Sequence, residues 1–351
     1  MMRRVDVVVM RRFIGRVLMV VLLFFSLFSL IESLDTGRFA AFSRLGGPQL
    51  GLLAIVIGGG RLAIGTMPVS VLLGTIVAAL DLQSRREMTI IKATGTSIWG
   101  VMRMPLITAV IVGLLVSFFA DAGALRLSRV LPYLGTSQHS EFYIEQTGSD
   151  GAYILRADNA RTDKTLLDGV TIYFTSTPSR DRIVAESARL TDKGWELANG
   201  TRYTPGLPPA RFATLILPTE TTPGDMQIRL TDPRALTIYE LIDAVRSRIA
   251  DPGLRAAAIT SLFRLFALPL LMCGSVLMGF AFTAGYRRTN RYGGTVLYGV
   301  VLGFVVYVVT ELATRSGFAG VLDPTFAAAG PAFVAIVIGL TVLLYKEDGR
   351  T

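Results

Sequence analysis

A single histidine, His139, and a single cysteine, Cys273, limit the chemistry open to this chain. His139 has Ser137, Ser140 and Glu141 beside it, but neighbours along a chain are poorly placed for a proton relay, and a second histidine is absent. Cys273 lies in an apolar run that offers no base. One histidine and one cysteine cannot furnish a metal-ligand set either. A phosphate loop would read Gly-x-x-x-x-Gly-Lys-Ser/Thr, whereas Gly58-Gly59-Gly60 is followed by Arg61-Leu62. These residues predict no catalytic centre, no metal and no cofactor held by this chain, so any energy must come from a partner.

The stretch with an organising pattern is Gln83 to Ser97, between two long apolar segments. Ser84 and Glu87 have capping-box spacing, and Gly95 stands where a helix would stop. Met88, Ile91 and Ala93 or Thr94 recur at roughly helical spacing, while Arg85, Arg86, Glu87 and Lys92 supply charge. The pattern fits a short docking helix over 84–95 lying along a membrane surface. It also fits a solvated helix that merely joins two spans.

The flanking elements are membrane spans. Apolar side chains make up 51% of the 351 residues and charged ones only 17%, too apolar a balance for a soluble domain of this size. The net charge of +9 comes from arginines clustered beside apolar runs, which makes them topology signals and argues against a nucleic-acid partner. Phe13 to Leu34 forms the first span, too long for a signal-peptide core and without a cleavage site. Leu50 to Ile57 is expected to break at Gly58-Gly59-Gly60 and to serve as an interfacial approach, with span two at Leu62 to Leu82 and span three at Trp99 to Ala120. Spans four to six fall near Leu262 to Ala281, Gly293 to Thr314 and Phe326 to Tyr345. Six crossings put both chain ends on one side. The N-terminal arginines, Arg85, Arg86, Lys92, Arg287, Arg288, Arg291 and Lys346 share that side, which is therefore cytoplasmic.

Residues 135–230 change character. Short β-branched and aromatic runs alternate with turn clusters at Ala152 to Arg156, Leu166 to Thr175, Arg182 to Thr191, Trp195 to Leu197, Ala213 to Leu217 and Met226 to Leu230. Val170, Ile172 and Phe174 fall on one face. This spacing predicts an antiparallel sandwich or open roll outside the membrane, inserted between spans three and four. A second capping box, Thr237 to Glu240, opens a helix that Pro252-Gly253 should end. The domain plan is thus 1–134, 135–230 and 231–351.

The order of these features resembles the lipopolysaccharide-export permeases, the paired subunits LptF and LptG. The matching residues are Arg12-Phe13-Ile14-Gly15-Arg16, Arg86-Glu87-Met88 through Ala93-Thr94-Gly95, and Gly169-Val170-Thr171-Ile172-Tyr173. Further matches are Leu236-Thr237 with Glu240-Leu241, Arg264 with Leu268-Pro269, and Pro331. The ending Leu343-Leu344-Tyr345-Lys346-Glu347-Asp348-Gly349 leans toward the G-type subunit.

The resemblance implies an α-helical membrane protein with six transmembrane helices and a periplasmic jellyroll-like β-domain. It implies a permease that extracts lipopolysaccharide from the inner membrane. Its partners would be a homologous six-span subunit forming a heterodimer and a cytoplasmic ATPase dimer of LptB type, which carries the ATP and magnesium. A single-span accessory protein of LptC type and a bridge protein of LptA type would complete the set. Residue by residue it assigns ATPase coupling to Arg86, Glu87, Met88, Ile91, Ala93 and Gly95, with Glu87 as the coupling acid. Glu87 also reads as a simple helix cap.

For substrate phosphates the resemblance points to Arg38 and Arg44, and Arg61 is at similar depth; each arginine equally fits snorkelling to anionic lipid or pairing with Glu32 and Asp35. For a lateral gate it points to Phe24, Phe28 and Ile31 in span one and Phe304, Tyr307 and Glu311 in span five, where aromatic spacing also fits ordinary bundle packing. Two other classes remain open. One is a stroke-transmitting permease of a lipoprotein-release or efflux system, which has four spans and an outer domain after the first. The other is a structural anchor for a β-domain.

Overall fold

The computed structural model describes residues 4–35, 37, 39–40, 42–43, 47–95, 97–134, 142–148, 151–160, 166–175, 181–191, 194–219, 221, 226, 236–246, 252–283 and 293–347. His139, the Arg287, Arg288 and Arg291 cluster, and the strand expected at Met226 to Leu230, apart from Met226 itself, lie outside them. The chain forms two compact units, Met1–Gly135 with Thr260–Thr351, and Thr136–Ile259.

The first unit is helical. It contains α1 (Arg4–Ser33), α2 (Pro48–Gly65), α3 (Met67–Ser84), α4 (Glu87–Ala93) and α5 (Ile98–Leu115), the last passing through a π-helical turn at Val116–Ala120 into α6 (Asp121–Leu134). The second unit carries α7 (Ile238–Arg246), and after it come α8 (Pro252–Thr283), α9 (Gly293–Phe318) and α10 (Pro324–Glu347). Seven helices in the described residues are long and apolar enough to cross a membrane.

The extra one corrects the expectation for Leu50 to Ile57. The helix does not break at Gly58-Gly59-Gly60 but runs through them to Gly65, and a second helix, α3, follows from Met67 where a span was expected from Leu62. The glycines let α1 approach. A Cβ on Gly58 would stand 2.6 Å from the Glu32 side chain, one on Gly59 2.9 Å from the Ser29 Cα, and one on Gly74 2.6 Å from the Val17 Cα. Backbones that pack this closely gain contacts that outweigh the weak helix propensity of glycine, and in lipid the helix has no competing solvent for its hydrogen bonds.

Those partners also resolve the count. Residues 17, 29 and 32 of α1 meet 74, 59 and 58, a steady antiparallel register that continues across the junction at Thr66. Helix α1 packs along both α2 and α3, while α2 and α3 scarcely touch each other. They are two parts of one return path, so the seven lengths make six passes. Pro68 explains the joint: it has no N–H for the Ile64 carbonyl, and the Thr66 N–H turns to the Leu62, Ala63 and Ile64 carbonyls instead.

Another proline is met from a neighbouring helix. Pro269 inside α8 leaves the Leu265 carbonyl without its helical donor, and the Ser117 hydroxyl, carried on the π-helical turn, donates to it at 2.7 Å. At the C-terminal end of α8, Gln83 of α3 donates to the Thr283 carbonyl at 2.7 Å and Lys346 of α10 to the Ala281 carbonyl at 2.8 Å. The C-terminal ends of α3, α8 and α10 therefore share one end of the bundle.

The second unit holds β1 (Phe142–Gly148), β2 (Gly151–Ala160), β3 (Leu166–Phe174), β4 (Arg182–Thr191), β5 (Gly194–Tyr203) and β6 (Ala210–Leu217). All pair antiparallel in chain order in one sheet, the open-roll form of the expectation. Strand β1 carried no recognised signal in the sequence.

Inward residues do not alternate strictly. Leu167 and Val170 both point inward on β3, as do Ala185 and Ala188 on β4. The inversion falls on one register row, Asp158, Gly169, Glu186 and Asn199, where Gly169 and Asn199 have φ of 65° and 50°. Left-handed residues there crease β3 and β5 and let the sheet curl over its core.

The core of the sheet encloses the polar side chain of Gln146. The Gln146 side-chain oxygen accepts from Trp195 Nε1 at 2.8 Å, the Tyr153 hydroxyl at 2.9 Å and Thr219 Oγ1 at 3.0 Å. Burial pushes the Tyr153 phenol above its ordinary range, so it donates as a neutral hydroxyl. The second capping box forms: the Glu240 carboxylate accepts from the Thr237 N–H at 2.7 Å, and α7 (Ile238–Arg246) follows. Pro252-Gly253, expected to end a helix, instead begins α8.

Two substitutions test this packing. Gly59→Leu should lower the thermal stability of the detergent-solubilised protein by about 1–3 kcal/mol through overpacking. Gly60→Leu, whose Cβ meets only Phe25 at 3.9 Å, should be tolerated. Gln146→Leu strands the Trp195 and Tyr153 donors and should cost roughly 2–5 kcal/mol, read from the unfolding of the β unit by its tryptophan fluorescence.

Candidate functional site

The charged groups of the helical unit converge where α1, α3 and α4 meet. Arg12 and Arg16 lie one turn apart on α1 and share a face. Arg12 donates from one guanidinium nitrogen to Asp81 Oδ2 at 3.0 Å and from the other to Glu87 Oε1 at 2.5 Å. Arg16 takes the second Asp81 oxygen at 3.0 Å, and Arg85 approaches that same oxygen at 3.5 Å. Asp81 belongs to α3 and Glu87 is the first residue of α4, so one guanidinium fastens two consecutive helices to a third.

The location favours such bonds. The side chains of Arg12, Asp81 and Glu87 are 23%, 16% and 29% exposed, so water competes weakly, and hydrogen bonds to charged groups in such settings are each worth about 1.5–3 kcal/mol. The other Glu87 oxygen, Oε2, is buried and has no hydrogen-bond partner among the described residues.

Local backbone explains why Glu87 is reached this way. Helix α3 continues through Ser84, whose hydroxyl bonds back to the Asp81 carbonyl at 3.0 Å. The expected capping box between Ser84 and Glu87 therefore does not form: Ser84 is the last turn of one helix and Glu87 the first residue of the next. Between them Arg86 adopts φ 58°, a left-handed conformation that costs a non-glycine residue roughly 1–2 kcal/mol. Gly95, at φ 77°, ends α4 as its position suggests, and the Ser97 hydroxyl, accepting from the Gly100 N–H at 3.3 Å, opens α5.

The coupling residues divide between two faces. Met88 and Ile91 are buried in a cluster with Val9, Phe13, Leu82, Ile98, Val101 and Met102, so they hold α4 to the bundle. Arg86, Ile90, Ala93, Thr94 and Gly95 are exposed, and Ile90, absent from the sequence reading, is 64% exposed. The Lys92 side chain lies outside the described residues. Helix α4 thus has an apolar inner face, an ion-paired first residue and an outer face led by an isoleucine.

Other candidate residues are not gathered there. Arg38 and Arg44 lie outside the described residues. Arg61 is exposed on α2 and, with Arg264 of α8, is near enough to act on Asp121 at the head of α6. Phe24 and Phe28 stack with centroids 5.9 Å apart, and Ile31 is exposed beyond them. On α9, Phe304 and Tyr307 are exposed, while Glu311 accepts from Arg315 at 2.8 Å. Helix α1 packs on α2, α3 and α5, and α9 on α3 and α10; both keep broad exposed apolar faces.

The partners of Arg12 and Arg16 do not follow from spacing along the chain, although the sequence carries a signal for them. Asp81 is an acid at the end of an apolar span, and such residues require a partner.

These features agree with a comparison of the whole chain. A family model described as lipopolysaccharide export system permease LptF/LptG matches residues 7–345. The chain belongs to the LptF/LptG permease family. No individually curated protein matches it. Membership makes this LptF/LptG-type chain a multi-pass inner-membrane permease of lipopolysaccharide export, a transporter subunit in place of an enzyme.

The ion-pair cluster yields a direct check on the permease. Asp81→Asn leaves Arg12 on Glu87 but weakens the hold on Arg16, and should cost about 1.5–3 kcal/mol of thermal stability. High salt should narrow the difference only slightly, because the pair is partly shielded from water.

Proposed function

We propose that this permease is one half of an ATP-driven machine that lifts lipopolysaccharide out of the inner membrane, with α4 as the surface on which a cytoplasmic ATPase dimer of LptB type pushes. The ATP and its magnesium belong to that motor. A homologous six-span subunit completes the membrane part, this chain being the G-type half on the strength of its C-terminal sequence. The second unit faces the periplasm, both chain ends face the cytoplasm, and an LptC-type accessory protein with an LptA-type bridge receives the lipid from it.

The observation that carries this reading is the tie between α4 and α1. A docking helix is useful only if its movement reaches the membrane part, and Glu87 is bonded at 2.5 Å to the helix with a broad exposed apolar face, α1. An isolated surface loop would need no such bond. Exposed apolar faces on α1 and α9 suit surfaces that meet acyl chains or the second subunit, with Phe24, Phe28, Ile31, Phe304, Tyr307 and Glu311 along the gate. Arg61, with Arg38 and Arg44, supplies cations for lipid A phosphates near the outer headgroup level.

Reconstitution tests the proposal. The complex of this chain with its second subunit and ATPase, placed in vesicles loaded with lipopolysaccharide, should release lipid only with ATP and magnesium. Glu87→Ala should reduce release on the order of tenfold, with the β unit still folded. Unchanged release from the Glu87 variant, with normal ATPase binding, would remove α4 from the coupling path. Failure of the wild-type complex to release lipid would remove the transport reading.

A further inference from the structure

Three arginines reach Asp81, but among the described residues Arg12 alone reaches Glu87. The cluster is therefore not symmetric. Removing Arg16 leaves Arg12 bridging α3 and α4 to α1. Removing Arg12 leaves α1 paired to α3 through Arg16, while Glu87 loses its bond and both its oxygens become unpaired. The two arginines, one helical turn apart, hold different things.

We propose that Arg12 is the positioning residue that makes α4 and α1 move as one body, whereas Arg16 only anchors α1 to α3. The inference rests on the transporter reading for its purpose, but the tether is a property of this chain alone.

The local geometry supports it. Helix α4 has seven residues and is joined to α3 through Arg86, held left-handed at φ 58°. A short helix after a strained two-residue joint has little rigidity of its own. Met88 and Ile91 share an apolar cluster with Val9 and Phe13 of α1, but apolar contacts are non-directional and permit sliding. A forked guanidinium bonded to two carboxylates on two helices fixes direction as well as distance. Without it, a push on α4 is absorbed at the Arg86 joint; with it, the push turns α1.

The test compares Arg12→Gln with Arg16→Gln in a Cys273→Ser background, with spin labels at Ile90 of α4 and Leu22 of α1, both exposed. In lipid nanodiscs without the motor, the wild-type labels should give one narrow distance distribution. Arg12→Gln should broaden it, and Arg16→Gln should leave it narrow. Should Arg12→Gln fail to fold, Arg12→Lys serves in its place, because a lysine ammonium cannot fork between two carboxylates and should broaden the distribution to a smaller degree.

Unlabelled Arg12→Gln in the reconstituted complex should lose lipid release on the order of tenfold while hydrolysing ATP, and Arg16→Gln should lose much less. Equal broadening by both variants, or a narrow distribution in Arg12→Gln, overturns the proposal. So does full release by Arg12→Gln. Broadening specific to Arg12 in a complex that releases no lipid even as wild type would support the tether while removing the transporter reading.

Discussion

One guanidinium between two carboxylates governs this molecule. Arg12 gathers Asp81 and Glu87 from consecutive helices, and no single rigid helix joins those two acids, since the chain between them passes through a left-handed arginine. The same bond gives α4 a defined place on the bundle and gives α1 a handle at the end where α3, α8 and α10 also finish. Burial makes it costly to break, because each carboxylate stranded in a poorly hydrated place loses its solvation without compensation. A directional bond fixes the placing of one helix on another more closely than apolar contacts do.

The bond works only because α1 has a rigid partner to lie on. Close approach to the α2–α3 path at Gly58, Gly59 and Gly74 sets that register, and the Ser117 hydroxyl under Pro269 shows the same economy elsewhere: at these positions a helix gives up a side chain or a backbone hydrogen bond and a neighbour occupies the place. In lipid there is no water to substitute, so each irregularity must be answered inside the protein.

Much of this was legible in the sequence. Spans one, three, four, five and six were visible as apolar runs of sufficient length, and the Thr237 and Glu240 cap could be read from spacing alone. The triple glycine misled because glycine marks both loop breaks and tight helix contacts, and the choice between them depends on what lies opposite, which a single sequence does not reveal. Strands β3 and β4 were clear from their β-branched residues. Strand β1 was not, because Glu145, Gln146 and Thr147 dilute its apolar pattern and Gln146 is buried only by virtue of Trp195, Tyr153 and Thr219. In the site, Glu87 could be singled out by type and position, but its bond to Arg12 joins residues 75 apart in sequence and depends on the packing of three helices. Met88 and Ile91 share one face, as their spacing suggests, but Ala93 and Thr94, expected beside them, are exposed; that this face turns inward and leaves Ile90 outside required the fold.

The central claim is that the exposed side of α4 meets a cytoplasmic motor. The most direct measurement places a photoreactive amino acid at position 90 in intact cells, irradiates, and identifies what becomes attached. The account predicts a covalent adduct with a soluble ATPase subunit, formed in good yield at 90 and lost when the reactive group is moved to the buried position 91. Attachment at position 90 to a periplasmic protein, or to lipid alone, would contradict it.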